Sequence, residues 1–422
     1  FIFIFMYFIH KNRGNMLYRF IQNRLETLFK YFPCVLLTGA RQVGKTTLIK
    51  ELVAADSIVT FDPIEDIRGA KADPDLFLKQ MKSPGFLDEV QYVPQVLASL
   101  KRFVDERAND KSLFYLSGSQ NLSVLRGAAE SMAGRIAVLD LYPLCFKEIF
   151  QKKEHGILEA LLQNNEDDFS KFGDGSVPPL SRLMWRGGMP GLLDMPDQLI
   201  SDFFTGYMRT YIERDVRSIA EISNLNLFSR FVRLLSALSA QEINSNELGR
   251  DLGIDRTTAV RWENICEASY QWIKIPSFNK NPIKRISSKS KGYFVDTGLL
   301  CYLQGIFSPE ILVSHPLYGH IFETFVVMEV VKRINAWHAR PNLYHYRTYS
   351  GAEVDLLMEY NGKVFPLEIK IATHPTKKDV KGIISFKETF PNENIATAIV
   401  ACNTPTPYKL TDDVWAVPWW EL

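Results

Sequence analysis

The chain has 422 residues, 46% hydrophobic and 23% charged. That is the composition of an ordinary soluble globular protein, with length for two or three domains at roughly 150 residues each. A formal net charge of +1 excludes a chain-wide basic field, so any nucleic-acid surface has to be a local patch. Cys34, Cys145, Cys266, Cys301 and Cys402 are scattered without a C-x-x-C pair, which argues against zinc and a disulfide framework and for a reducing, cytoplasmic compartment.

The opening "FIFIFMYFI" is apolar but far shorter than the roughly 20 residues a membrane helix needs. It also lacks the basic flank and small-residue cleavage site of a secretory signal, so no membrane association is expected. Residues 1–15 are set aside from fold reasoning as an upstream segment.

"CVLLT" at residues 34–38 is a short apolar run suited to a buried parallel strand, and "TTLIKELVAA" after it has helical spacing. Between them, Gly39, Ala40, Arg41, Gln42, Val43, Gly44, Lys45, Thr46 and Thr47 carry the pattern G-x-x-x-x-G-K-(S/T) in its strand–loop–helix context. The glycines let backbone N–H groups close around phosphates, Lys45 reaches the β/γ-phosphates, and the Thr46 hydroxyl ligates Mg²⁺. ATP and Mg²⁺ are the expected cofactors.

"GFLDEVQ" supplies the acids a phosphoryl-transfer site requires at a neighbouring strand end, with Asp88 on the metal side and Glu89 as general base. "SLFYLSGSQNL" is a further strand that could bring Ser119, Gln120 or Asn121 beside the γ-phosphate. Arg135 ranks first among the arginines that could stabilise transition-state charge, ahead of Arg209 and Arg214 on the run "YMRTYIERDV". The expected catalytic set is therefore Glu89, Arg135 and Ser119.

"KFGDGSVPPL" reads as a loop, followed by helices that form a lid through about Phe228. "SNELGRDLGIDRTTAVRWENICEAS" reads as helix, glycine turn, helix, with Ser245 or Asn246 capping the first, Gly253 ending it and Asp255 capping the second. Arg256, Thr257, Thr258 and Arg261 could face a DNA groove, with "NKNPIKRISSKSKGY" as a basic wing. Arg256, Arg261, Lys284, Arg285, Lys289 and Lys291 form the densest basic neighbourhood, and duplex DNA is the expected partner. An equally weighted reading makes this unit a connector that packs the two end domains together.

"GAEVDLLMEYNGKVFPLEIK" is two alternating runs joined by Asn361-Gly362, a two-residue hairpin signal. Pairing Tyr360 with Lys363 puts Asp355 opposite Glu368 and Glu353 opposite Lys370, all on one face. Facing carboxylates repel unless they share a cation or a proton, so Asp355 and Glu368 are expected to hold a divalent ion. Pro366 in the second strand is a point where a bulge would shift this register. The competing reading is an exposed salt-bridged hairpin.

Together the phosphate loop, "LDEVQ", "LSGSQNL", "MAGRIAVLDLYPL", "YFVDTGLL" and the acidic hairpin resemble prokaryotic AAA-superfamily ATPases with a C-terminal domain of unknown function, from about Met16 to the end. The resemblance implies ATP binding, an AAA-type core and a restriction-endonuclease-like C-terminal core. The hairpin is similar to the nuclease pattern PD-(D/E)xK, in which acids bind a divalent ion and a lysine positions the attacking water. On that pattern Asp355, Glu368 and Lys370 form the site, Glu323 on the upstream run "FETFVVMEVVKRI" adds a carboxylate, and the proline usual before the aspartate is missing.

The expected architecture is α/β, with an AAA-type parallel-sheet core over 16–165 and a helical lid over 180–228. A winged-helix connector over 229–300 and a restriction-endonuclease-like domain over 301–422 complete it. The expected function is an Mg²⁺-dependent ATPase whose nucleotide state controls the C-terminal module at DNA, with assembly into a homo-oligomer allowed for. The alternative is an ATP-dependent signalling or scaffolding switch whose nuclease-like domain is inactive.

Overall fold

The computed structural model describes residues 17–107, 109–119, 132–154, 156–163, 165–173, 179–216, 222–281 and 288–422. Gln120, Asn121, Lys284 and Arg285, named above, lie outside the described residues. No helix among the described residues is long and apolar enough to cross a membrane.

Helix α1 (Gln22–Tyr31) precedes a five-stranded parallel sheet in the order β2-β3-β4-β1-β5. Its strands are β1 (Cys34–Thr38), β2 (Ile58–Thr60), β3 (Gly85–Asp88), β4 (Phe114–Gly118) and β5 (Ile136–Asp140). β1 is buried along its whole length because alternate residues feed two cores. Val35 and Leu37 join α1, whose Phe29 stacks on Tyr115 of β4 at 3.7 Å. Cys34 and Leu36 face α3 (Pro94–Asp105) through Leu97, Leu100 and Phe103. The helix after the glycine loop, α2 (Lys45–Lys50), is shorter than its apolar spacing suggests.

The middle segment begins with α4 (Leu180–Arg186) and α5 (Ile200–Thr210), the latter running on as a π-helical turn over Tyr211–Val216. Next come α6 (Leu225–Ala237), β6 (Gln241–Glu242), α7 (Ser245–Leu252), α8 (Arg256–Ala268), β7 (Trp272–Ile275) and β8 (Lys291–Phe294). α7 and α8 form the expected helix–turn–helix: Gly253 ends α7 in the left-handed region and the Asp255 carboxylate accepts the Thr258 N–H. Asn244, rather than Ser245 or Asn246, caps α7. The three strands make an antiparallel sheet, β6-β8-β7. α9 (Thr297–Leu303) and α10 (Pro309–Ser314) then pack back on α4.

Helix α11 (Tyr318–Asn335) leads into a six-stranded mixed sheet, β13-β14-β12-β11-β10-β9. Its strands are β9 (Asn342–Arg347), β10 (Glu353–Tyr360), β11 (Lys363–Ile369), β12 (Ala398–Cys402), β13 (Tyr408–Thr411) and β14 (Val414–Pro418), with α12 (Lys381–Thr389) between β11 and β12. The β10–β11 hairpin closes as read from the sequence: Asn361 and Gly362 both have positive φ, and Tyr360 pairs with Lys363. Pro366 sits opposite Leu357 without displacing the register; the irregularity falls between Val354 and Leu357 on the β9 side instead. α11 covers one face through Ile321, Phe325 and Met328, and α12 covers the other through Ile383 and Phe386.

Candidate functional site

The loop after β1 has to be glycine at two points. Gly39 has φ +148, and a Cβ there would lie 2.2 Å from the Leu141 carbonyl oxygen. Gly44 has φ +97, a conformation that costs an L-residue strain. Lys45 is buried, and its ammonium donates to the carbonyls of Gly39 (2.8 Å) and Ala40 (2.7 Å). Burial lowers its pKa to about 8, against the pull of Glu89, Asp88 and Asp215.

Thr46 Oγ1 donates to Asp88 Oδ2 at 2.9 Å, and the other Asp88 oxygen accepts from Ser117. Asp88, at the end of β3, is only 2% exposed. The next residue, Glu89, takes φ +60, a costly conformation for glutamate that turns the chain sharply out of the strand. The Gln91 amide donates both to Glu89 Oε2 and, at 3.1 Å, to Ser119 Oγ. Glu89 and Ser119, read separately from the sequence, are therefore brought together by Gln91, which was quoted in "LDEVQ" but assigned no role.

Arg41 was missed as a structural partner. Its Nε lies 2.6 Å from Asp215 Oδ1 and its Nη2 donates to the Tyr92 hydroxyl at 3.0 Å, tying the phosphate loop to the π-helical turn over Tyr211–Val216. Burial raises the Asp215 pKa and the Arg41 charge opposes it. On this stretch Asp215 reaches the loop, while Arg209 is exposed and pairs with Glu213 at 3.2 Å; the side chain of Arg214 lies outside the described ones.

Arg135 is not brought to the phosphate loop. It immediately precedes β5, and because β1 and β5 are parallel with Cys34 opposite Ile136 and Thr38 opposite Asp140, it lies at the far end of the sheet. A five-residue strand separates the two ends by about 16 Å. The Arg135 guanidinium pairs there with Asp105 at 2.5 Å.

Under the loop, Tyr270 reaches in from the middle segment with φ +60. Its hydroxyl donates to Asp140 Oδ1 at 2.5 Å and lies 2.8 Å from Thr38 Oγ1, and the Asp140 carbonyl accepts from Asn335 at the end of α11. The base of the glycine loop is thus hydrogen-bonded to both later parts of the chain.

At the other end of α11, Glu323 joins the acidic hairpin. Glu353, Asp355, Glu368 and Lys370 line one cleft of about 480 Å³, with Lys378 and Lys381 on its rim. Lys370 Nζ lies 2.6 Å from Glu368 Oε1, while buried Glu368 Oε2 has no hydrogen-bond partner. Burial, then the Asp355 charge, raises the Glu323 pKa to about 8 and holds Glu368 well above the usual carboxylate range.

Lys291 corrects an expectation: it is not a wing residue facing phosphate. It is 2% exposed and its Nζ lies 2.5 Å from Glu323, 2.6 Å from Glu353 and 3.4 Å from Asp355. Among the described residues no three His, Cys, Asp or Glu side chains are arranged to hold a metal ion. The acids converge on the ammonium.

Residues 31–150 match a family model described as an AAA domain. Residues 178–310 and 318–422 match models described as domains of unknown function, DUF8612 and DUF4143. Uncharacterized proteins of Mycobacterium bovis and Mycobacterium tuberculosis are 27% identical over 94% of this chain and 82% of theirs. Among solved structures, a Walker-type ATPase of Pyrococcus abyssi is 15% identical over 69% of this chain and 97% of its own, with a TM-score of 0.40. RuvB of Thermotoga maritima is 17% identical over 64% and 94%, with a TM-score of 0.29.

Proposed function

We propose that the AAA-type ATPase domain of residues 31–150 hydrolyses Mg²⁺-ATP, and that its nucleotide state is passed through the middle segment to the acid–lysine cleft of the C-terminal sheet, acting at duplex DNA. The observation that carries the first part is the convergence at one sheet end of the glycine cradle, Lys45, the Thr46–Asp88 pair and the Glu89–Gln91–Ser119 set. These residues fit a nucleotide. The loop leaves no room for a Cβ at Gly39, and its backbone N–H groups with Lys45 would hold the phosphates. Thr46 and Asp88 would hold Mg²⁺, which neutralises phosphate charge when bound. Glu89 would take the proton of an attacking water, a reading supported by the Gln91 amide that donates to its carboxylate.

The Lys45 shift gives a pH test. With its pKa near 8 in the free protein, Lys45 loses its charge above that pH, whereas an adjacent triphosphate favours the ammonium. ATP binding then takes up a proton above about pH 8, so affinity should fall by up to roughly tenfold per unit from there and be flat below. Calorimetry at pH 7 and pH 9.5 reads this directly, and equal affinities at both would show that Lys45 does not titrate in binding.

For DNA, we read α7 and α8 with the β6-β8-β7 sheet as a winged helix, and the C-terminal domain as restriction-endonuclease-like. Exposed Arg256 and Thr257 at the start of α8 support that reading. With Lys291 buried the basic patch is smaller than its sequence suggests, so two or three phosphate contacts and a log–log salt slope of about −2 to −3 are expected. Fluorescence anisotropy against salt, with Arg256→Glu alongside, measures it. An affinity that is flat with salt and unchanged by the mutation leaves the unit as a connector.

A second reading, an ATP-dependent scaffold with an inert nuclease-like domain, is favoured by one observation: Lys291 sits among the acids. Two measurements separate the readings. DNA stimulation of ATP hydrolysis and Mg²⁺-dependent cleavage by the wild type are expected on the first, and absence of both on the second.

A further inference from the structure

Arg19 stands just ahead of α1 and is only 6% exposed, yet it lies against the phosphate loop: a Cβ on Gly44 would be 3.6 Å from its Nη1. Its two terminal nitrogens are spent on backbone carbonyls, Nη1 donating to Val43 at 2.8 Å and Nη2 to Tyr142 at 2.7 Å. A buried guanidinium without a counter-charge is strongly unfavourable. Here the charge is met by Glu148, also buried, whose Oε2 lies 3.2 Å from Nε. Glu148 is in turn fixed by the N–H groups of Phe20 at 2.8 Å and Cys145 at 3.1 Å.

The two carbonyls sit at opposite ends of the loop. Val43 lies between Gln42, at φ +62, and Gly44, at φ +97, so regular structure does not set the orientation of the Val43–Gly44 peptide. In a trans peptide the C=O and the following N–H point in opposite directions, and pinning the Val43 oxygen therefore turns the Gly44 N–H away from Arg19. Tyr142 belongs to the turn after β5, next to Leu141, whose N–H donates to Thr38 and whose carbonyl oxygen excludes a Cβ at Gly39. One side chain thus braces the last glycine of the loop and the turn that backs the first. Lysine has a single nitrogen and no planar fork, so it cannot make both bonds beside the ion pair.

We propose that Arg19 is a positioning residue for phosphate binding: it holds the Val43–Gly44 peptide so that the Gly44 N–H donates to the phosphate chain of the nucleotide. This rests on the reading of the loop as a nucleotide site and adds the residue that sets one of its backbone donors.

Calorimetry on the full chain with Mg²⁺-ATP and with inorganic tripolyphosphate, beside thermal melting, tests it on Arg19→Lys and Glu148→Gln. Arg19→Lys keeps a cation beside Glu148 but gives up the fork on the two carbonyls. Both probes should bind it roughly tenfold more weakly and by the same factor, because the lost contact is to phosphate and not to the base. Glu148→Gln leaves both carbonyl bonds of Arg19, so it should melt below wild type while its affinity stays within about threefold. Arg19→Lys binding both probes as wild type does would overturn the proposal and leave the nucleotide reading standing. An equal loss of affinity in the two variants would trace the effect to the ion pair and overturn it as well. Should either single variant fail to fold, Arg19→Met with Glu148→Gln removes both buried charges together, and tenfold weaker binding supports the proposal where wild-type affinity overturns it. A wild type that binds neither probe would overturn the nucleotide reading and this inference with it.

Discussion

Glu89→Gln is expected to bind ATP within about threefold of wild type and to hydrolyse it at least roughly a hundredfold more slowly. The substitution keeps the shape of the side chain and the left-handed turn at position 89, so Lys45, Thr46 and Asp88 stay where they are. What it removes is the basic oxygen that Gln91 orients and that a water proton would move to. Lys45→Ala removes a charge-assisted phosphate contact, so it should lower affinity by roughly a hundredfold. Equilibrium binding and single-turnover hydrolysis for both variants separate the two roles. Hydrolysis by Glu89→Gln at the wild-type rate would remove Glu89 as the base and move the assignment to another group at the strand ends.

The parts legible in the sequence are those whose geometry is set locally. The glycine loop needs only its flanking strand and helix, and Asn361-Gly362 fixes the β10–β11 register by itself, which is why Asp355 and Glu368 could be placed in one cleft. Arg135 lies away from the loop because its position depends on which end of a parallel strand it adjoins, and the strand β5 begins only after it. Arg41 and Asp215 are separated by 174 positions, and Lys291 by 64 from Asp355. No periodicity reports such pairs. Lys291 was further disguised by the basic run before it, which suggests a solvated wing although the strand it opens is fully buried. Gln91 was hidden in the other direction, inside a motif whose two acids drew the whole interpretation.

Asp296→Ala is the largest stability loss expected outside the nucleotide site. "WRGG" and "VDTG" interlock here: Asp296 Oδ2 accepts the Gly188 N–H at 2.8 Å and Oδ1 accepts the Leu299 N–H at 2.9 Å, capping α9. The carboxylate crowds against Gly187, where a Cβ would lie 2.4 Å from Oδ1, and a Cβ on Gly298 would lie 2.4 Å from the Arg186 carbonyl oxygen. Burial raises the Asp296 pKa, and the backbone N–H groups of Gly188, Leu299 and Gly298 pull the other way. Alanine leaves the Gly188 and Leu299 donors buried without this acceptor, which costs about 3 kcal/mol in total. For a unit of this size that is a melting-temperature drop of roughly 5–10 °C. Asp296→Asn keeps one acceptor for the cap and should lose less than half as much. The tie also bears on the nucleotide site, because Met189 and Pro190 follow Gly188 directly and Pro190 Cγ lies 3.9 Å from where a Gly44 Cβ would stand. Loosening it should therefore weaken ATP affinity along with stability. If Asp296→Ala melts with wild type, the two motifs are held by their backbone packing alone and the carboxylate is dispensable.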